Sequence, residues 1–263
     1  MDLPSTIALG VIEGVTEFLP ISSTGHLLIA EQWFGRRSEV FNVVIQSGAM
    51  LAVTVIYWRR LMAFALGWRQ PETRAHVGKL ALAFLITCVL GLAAKRFGFR
   101  LPDTVGPVAW ALIAGGVWIL LAEWLAALRP DRAAISWVAA VGVGIAQIVA
   151  GLLPGTSRSG ATIFTAMLLG TSNRAAATEF SFLVGIPTMY AASAYELYSG
   201  LHHGEAHEDW AELGVAFVVA GVTAFVAVSW LLRYIQTHRY VVFAVYRLLL
   251  GAALLGLAAR GVV

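Results

Sequence analysis

Leu19-Pro20-Ile21-Ser22-Ser23-Thr24-Gly25-His26 interrupts an apolar run that starts at Leu3 and resumes over Leu27–Phe34. Ala133–Leu153 meets a second such break, Pro154-Gly155-Thr156-Ser157-Arg158-Ser159, and resumes over Ala161–Leu169. Proline and glycine end the first helical arm, and serine or threonine caps the next. Leu27–Phe34 is too short to cross a bilayer, which needs about 20 apolar residues. A helix–break–helix at membrane depth survives only where protein buries it or a cavity receives it. Both stretches therefore read as re-entrant hairpins that do not cross.

Outside the breaks lie long runs with almost no charge. Val40–Trp58, Leu80–Ala94, Thr104–Ala122, Phe180–Tyr195, Leu213–Leu232 and Tyr240–Ala259 are six candidate spans, the last containing Arg247. None alternates in polarity as a barrel strand would, so all are expected to be helices. Composition agrees. Of 263 residues, 59% are hydrophobic and 13% charged, half the charge of an ordinary soluble domain. A soluble globular protein and a disordered chain are both excluded. The net charge of +3 reads as topology signalling and contact with anionic lipid headgroups, with no nucleic-acid partner. Cys88 is alone and gives neither an internal disulfide nor a redox pair. The first apolar stretch contains Glu13 and Glu17 and lacks a basic lead, unlike a signal peptide.

The two breaks look related. Ile12–Ser23 lies over Ala146–Ser157, with Glu13 on Gln147, Pro20 on Pro154 and Ser23 on Ser157. Each hairpin is followed by three spans, and that odd number of crossings inverts one half against the other. Paired broken helices at matching places point to a central site. The expected fold is an all-α integral membrane protein with six transmembrane helices plus two re-entrant helical hairpins in an inverted-topology repeat. It is one membrane domain: residues 1–132 hold the first repeat (hairpin about 3–34) and residues 133–263 the second (hairpin about 133–170). Ten basic residues fall on the side of the Arg59–Lys79 loop, with Arg129, Arg132, Arg174, Arg233 and Arg239. Six fall opposite: Arg36, Arg37, Lys95, Arg96, Arg100 and Arg260. The stretch His202–Asp209, on that second side, has no Arg or Lys. That bias puts the Arg59–Lys79 loop in the cytoplasm and both termini outside.

Chemistry-bearing residues cluster at the breaks. Glu13 and Glu17 are one helical turn apart, and two carboxylates in an apolar helix need compensation. A divalent cation would supply it, since Mg²⁺ often joins one or two carboxylates to substrate phosphates. Ser22, Ser23 and Thr24 open a helix whose first N–H groups form an anion site. His26 is three residues beyond Ser23, close enough for a Ser/His arrangement. Ser23, His26 and an activated water all remain possible attacking groups. Arg158, flanked by Ser157 and Ser159 at the second helix start, reads as a phosphate clamp, with Thr162 on the same face. The inventory suits phosphoryl transfer. No Walker A or HExxH occurs, and the membrane-phosphatase pattern that needs a histidine six residues after its arginine finds Phe164.

Glu13-Gly14-Val15-Thr16-Glu17-Phe18-Leu19-Pro20-Ile21-Ser22-Ser23-Thr24-Gly25-His26 and Pro154-Gly155-Thr156-Ser157-Arg158-Ser159-Gly160-Ala161-Thr162 resemble the two signature motifs of the bacterial undecaprenyl-diphosphatases, the bacitracin-resistance lipid phosphatases. Lesser matches are Trp58-Arg59-Arg60, Glu179-Phe180-Ser181-Phe182 and Tyr246-Arg247. The resemblance implies a multi-pass inner-membrane enzyme that hydrolyses undecaprenyl diphosphate to undecaprenyl phosphate and phosphate, recycling the carrier lipid of cell-wall synthesis. It implies a divalent cation, Mg²⁺ or Ca²⁺, homodimers, and a site opening to the outer face. By position, Glu13 and Glu17 match the family's essential glutamates. Ser23 and His26 match its candidate nucleophile and base, and Ser157, Arg158 and Thr162 its phosphate-binding set. Asn42 stands where the family often has glutamate, and Ser47 replaces a usual apolar residue. A polyprenyl-phosphate flippase is the competing class, because inverted repeats with broken helices also build transporters. Such a transporter has no need of Ser23 and His26 beside two glutamates. A small-anion channel fits less well, because Glu13 and Glu17 would repel its cargo.

Overall fold

The computed structural model describes residues 3–97, 105–202 and 209–260. Arg100, Thr104 and the stretch 203–208, all used above for spans or charge bias, lie outside the described residues.

Every regular element there is helical. In chain order these are α1 (Leu3–Thr16), α2 (Ser23–Phe34), α3 (Glu39–Ile56), α4 (Trp58–Leu66), α5 (Pro71–Arg96), α6 (Val105–Ala127), α7 (Trp137–Leu152), α8 (Arg158–Leu169), α9 (Arg174–His202), α10 (Trp210–Tyr234) and α11 (Val241–Ala259). The protein is an all-α integral membrane protein. Helices α3, α5, α6, α10 and α11 are long and apolar enough to cross a bilayer. Helix α9 has the length, at 29 residues, but Ser181, Gly185, Pro187, Thr188 and Ser193 dilute its apolar character. Much apolar surface faces outward, including Trp110, Trp118, Val218, Val222, Val242 and Leu249. In water that would be untenable; facing lipid tails it costs nothing.

Both first arms are shorter than the apolar runs suggested. Helix α1 stops at Thr16 rather than Leu19, because the residue before Pro20 is biased away from helical geometry and the break starts earlier. Helix α7 begins at Trp137 rather than Ala133, where Ser136 accepts a hydrogen bond from Ala139 N at 2.9 Å and caps it. The second arms, α2 and α8, each have 12 residues, or about 18 Å at 1.5 Å per residue.

Packing is reciprocal. Helix α1 lies on α10 and α7 lies on α5, while α6 pairs with α11 and α3 packs on α10 and, less extensively, on α9. Close backbone approach makes the first two contacts possible. A Cβ on Gly10 would stand 3.0 Å from Ala216 O of α10, and one on Gly144 would stand 2.7 Å from Ala83 O of α5. Gly10 and Gly144 differ by the offset that carries Glu13 onto Gln147.

One ion pair anchors the far end of the bundle. Glu123 is 2% exposed and accepts a bidentate fork from Arg174, with Nη2 to Oε2 at 2.6 Å and Nε to Oε1 at 2.8 Å. Its Oε1 also accepts from Tyr240 N at 2.8 Å. Three helix ends, of α6, α9 and α11, thus meet on one buried carboxylate, fully hydrogen-bonded as burial demands.

Candidate active site

The two breaks meet in the interior. Ser22 and Ser157 are the N-caps of α2 and α8, accepting from Gly25 N and Gly160 N, each at 3.2 Å. Both sit at positive φ, 76° and 69°. Among the described residues these are the only non-glycines in that region, a strained geometry that a surrounding structure must hold. Ser22 therefore corresponds to Ser157. The sequence register that set Ser23 on Ser157 is corrected by one residue. Gly155, at φ 91°, is the extra residue, taking a conformation that side chains avoid.

Arg247 of α11 holds the breaks together. It is 1% exposed and donates to Pro20 O at 3.2 Å and Gly155 O at 3.0 Å, one carbonyl from each break. Further bonds reach Ala111 O at 3.0 Å and Leu112 O at 3.2 Å on α6. Ser159 Oγ adds a cross-link, donating to Leu19 O at 3.1 Å. A guanidinium has five donors and a flat fork, so it can serve four carbonyls that a lysine could not reach.

At the end of α1, the Glu13 and Glu17 carboxyls lie side by side, and the Arg158 charge acts on both. They are 2% and 7% exposed. Glu17 is one residue past α1, yet its N–H still bonds Glu13 O at 2.9 Å, which preserves the shared face. Ser23 Oγ donates to Glu17 Oε2 in a short hydrogen bond.

The expected Ser23/His26 pair does not form. Helix side chains lean toward the N-terminus, and both residues follow that lean to different partners. Ser23 reaches back to Glu17, while His26 Nδ1 donates to Ser22 O at 2.7 Å. His26 Nε2 is 2.6 Å from Tyr246 Oη, and the two rings stack at 5.7 Å. With Nδ1–H donated to a carbonyl, neutral His26 uses its Nε2 lone pair to accept from Tyr246. Neither nitrogen is left for Ser23.

The expected phosphate set is sorted in the same way. Ser157 Oγ caps α8 and shares a 3.1 Å contact with Ser159 Oγ. Thr162 Oγ1 donates to Arg158 O at 2.9 Å and lies 3.1 Å from Ser159 O. Arg158 Nη1 is buried with no partner. It is the one member of that set with a donor waiting.

Glu17, Arg158, Ser159 and Thr162 line a cavity of about 20 Å³, together with Gln147 and Ser181. That is room for one water-sized occupant. Gln147 Oε1 and Ser181 Oγ are buried there without partners, and Glu13 Oε2 is likewise unpaired. No group of three or more His, Cys, Asp or Glu occurs among the described residues, so a metal centre built only of protein charges is absent from them. Two carboxylates with an unpaired oxygen, plus neutral oxygens, do fit Mg²⁺ or Ca²⁺ shared with a phosphate.

A separate apolar groove of about 510 Å³ lies between α6, α7 and α8, on a different face of α8 from the small cavity. Trp118, Ile145, Val149, Leu153 and Phe164 line it, with Thr156 and Arg247 among its polar lining.

Gln147, Ser181, Tyr246 and Arg247 were not among the site residues expected from sequence. Each had a signal. Gln147 aligned with Glu13, and the other three lay in the lesser matched segments. Arg60 and Glu179, from two of those segments, pair at 2.9 Å. Asn42 lies apart, its Nδ2 at 3.4 Å from Glu31 Oε1.

The model of the family described as bacitracin resistance protein BacA matches residues 6–253. A protein of Rhizobium johnstonii named undecaprenyl-diphosphatase is 64% identical over 264 residues, covering all of both chains. A Xanthomonas oryzae protein of the same name is 56% identical over 255 residues, 97% of this chain and 96% of its own. The chain belongs to the BacA family.

Proposed function

We propose that the protein is an undecaprenyl-diphosphatase. It hydrolyses undecaprenyl diphosphate to undecaprenyl phosphate and inorganic phosphate, recycling the cell-wall carrier lipid and so conferring bacitracin resistance. One observation carries the reading: Ser23 is bonded to Glu17, and Arg158, whose Nη1 has no partner, lines the same small cavity from the opposite break. Base, nucleophile and phosphate clamp come from the two hairpins and gather around one small buried cavity.

The lipid enters sideways, its prenyl chain in the groove between α6, α7 and α8. Arg158 Nη1 and the N–H groups opening α2 and α8 hold the diphosphate. Ser23 Oγ attacks the terminal phosphorus as Glu17 takes the hydroxyl proton. The phosphoanhydride bond breaks and undecaprenyl phosphate leaves. Water then cleaves the phosphoseryl ester, releasing phosphate and restoring Ser23. Glu13 and Glu17 would hold a divalent cation, which supplies neutralisation of phosphate charge. His26, engaged by Ser22 O and Tyr246, fixes the start of α2.

The finer topology belongs to the same proposal. Helices α3, α5, α6, α9, α10 and α11 are six spans, and α1–α2 and α7–α8 are re-entrant hairpins. Residues 1–132 and 133–263 are inverted halves, a reading supported by the reciprocal packing of α1 on α10 and α7 on α5. The site opens to the periplasmic face of the inner membrane, and the protein works as a homodimer.

The test is phosphate release from undecaprenyl diphosphate by detergent-purified protein. It is run with Mg²⁺ or Ca²⁺ and with chelator, for wild type and Glu17→Ala. Metal-dependent release that the substitution removes is the expected result. Folded wild-type protein that releases none overturns the reading and transfers it to lipid transport.

A further inference from the structure

Gln147 is 3% exposed and lines the small cavity beside Glu17 and Arg158. Its Nε2 donates to Thr87 Oγ1 at 2.8 Å. Thr87 in turn lies 2.9 Å from Ala83 O and 3.1 Å from Gly144 O. Those carbonyls can only accept, so the Thr87 proton goes to them and its oxygen is left to accept from Gln147. The orientation of the amide follows: nitrogen toward Thr87, carbonyl oxygen toward the cavity. There Oε1 has no partner.

Gln147 holds on α7 the place that Glu13 holds on α1, and Glu13 Oε2 is unpaired too. Gln147 Oε1 lines the cavity with Glu17 and Arg158, and with Glu13 Oε2 it makes two buried oxygens without donors beside a pair of carboxylates. The proposed reaction assigns the free Arg158 Nη1 to phosphate, which leaves these oxygens for a cation. An amide carbonyl is a hard oxygen ligand of the kind Ca²⁺ and Mg²⁺ accept.

We propose that Gln147 Oε1 is the third protein oxygen, with Glu13 and Glu17, that holds the divalent cation. Thr87 is the positioning residue that keeps that oxygen turned inward. This deepens the diphosphatase reading and rests on it.

Full-length protein in detergent tests it, with Mn²⁺ alone as the spectroscopic probe of cation binding and phosphate release followed separately. Gln147→Leu weakens Mn²⁺ binding by roughly 10- to 100-fold, and Thr87→Val by about tenfold, the range typical of lost ligand support. Gln147→Glu binds as tightly as wild type or tighter, and Thr87→Ser restores wild-type affinity. Melting temperatures without metal identify the folded variants. Folded Gln147→Leu protein that binds Mn²⁺ like wild type overturns the assignment while phosphate release still stands. If that variant does not fold, unchanged affinity in Thr87→Val overturns it. Wild type that releases phosphate without binding Mn²⁺ also overturns it and leaves hydrolysis intact. Wild type that does neither removes the diphosphatase reading beneath it.

Discussion

The two hairpins share a frame and divide the chemistry. Each ends its first arm before a proline, caps a 12-residue second arm with a serine at positive φ, and gives one carbonyl to Arg247. On that common frame the side chains diverge. The first break holds Glu13, Glu17, Ser23 and His26; the second holds Gln147, Gly151, Arg158 and Ala161 at the matching places. The shared frame gives each break a serine-capped helix N-terminus, while the side chains put two carboxylates on the first and a guanidinium on the second. Two identical acidic breaks would repel each other and the diphosphate alike. In the proposed reaction, that asymmetry lets the diphosphate headgroup bind between them.

Five substitutions sharpen or break that comparison. The greatest difference is expected between Ser23→Ala and Ser157→Ala. The first removes the attacking hydroxyl and lowers kcat by roughly 10³-fold or more, whereas the second removes a cap and leaves kcat near wild type. Equal losses would mean that both breaks supply chemistry. Next, Arg158→Ala lowers kcat/KM by roughly 10²- to 10³-fold, as for loss of one preorganised donor. A mild effect would strip the second hairpin of its cationic role. Third, Arg247→Met uncouples the breaks. Pro20 O and Gly155 O lose their donor, and the cost, about 2–5 kcal/mol, is read as a fall in melting temperature. Stability that does not change would show that the breaks hold each other unaided. The smallest effect is the most direct check of symmetry. Ser22→Ala and Ser157→Ala should each cost about 1 kcal/mol of stability, by equal amounts; a clear inequality would argue that only one serine is a working cap.

Much of this was legible in the residues. The Pro/Ser breaks, the long apolar runs and the acidic pair at Glu13 and Glu17 all follow from local composition and spacing. Arg158 stood out because a lone charge in an apolar stretch needs a purpose. Helix boundaries were less legible, since Thr16 and Trp137 are set by capping and by the approach to proline. The repeat register erred by one because Gly155 adds a residue inside a turn, where periodicity is silent.

Sequence alone determined that this chain is a helical membrane protein with two broken helices at which carboxylates, hydroxyls and an arginine cluster. Burying backbone groups in lipid allows few other ways to fold so apolar a chain. Only the tertiary structure decided the partners. Spacing placed Ser23 beside His26, but rotamers turned Ser23 to Glu17 and His26 to Tyr246. It left Arg247 without a partner, yet helix packing brought four carbonyls from three segments to it. The spacing of residues on one helix limits which side chains share a face; which of them meet depends on contacts between segments far apart in the chain.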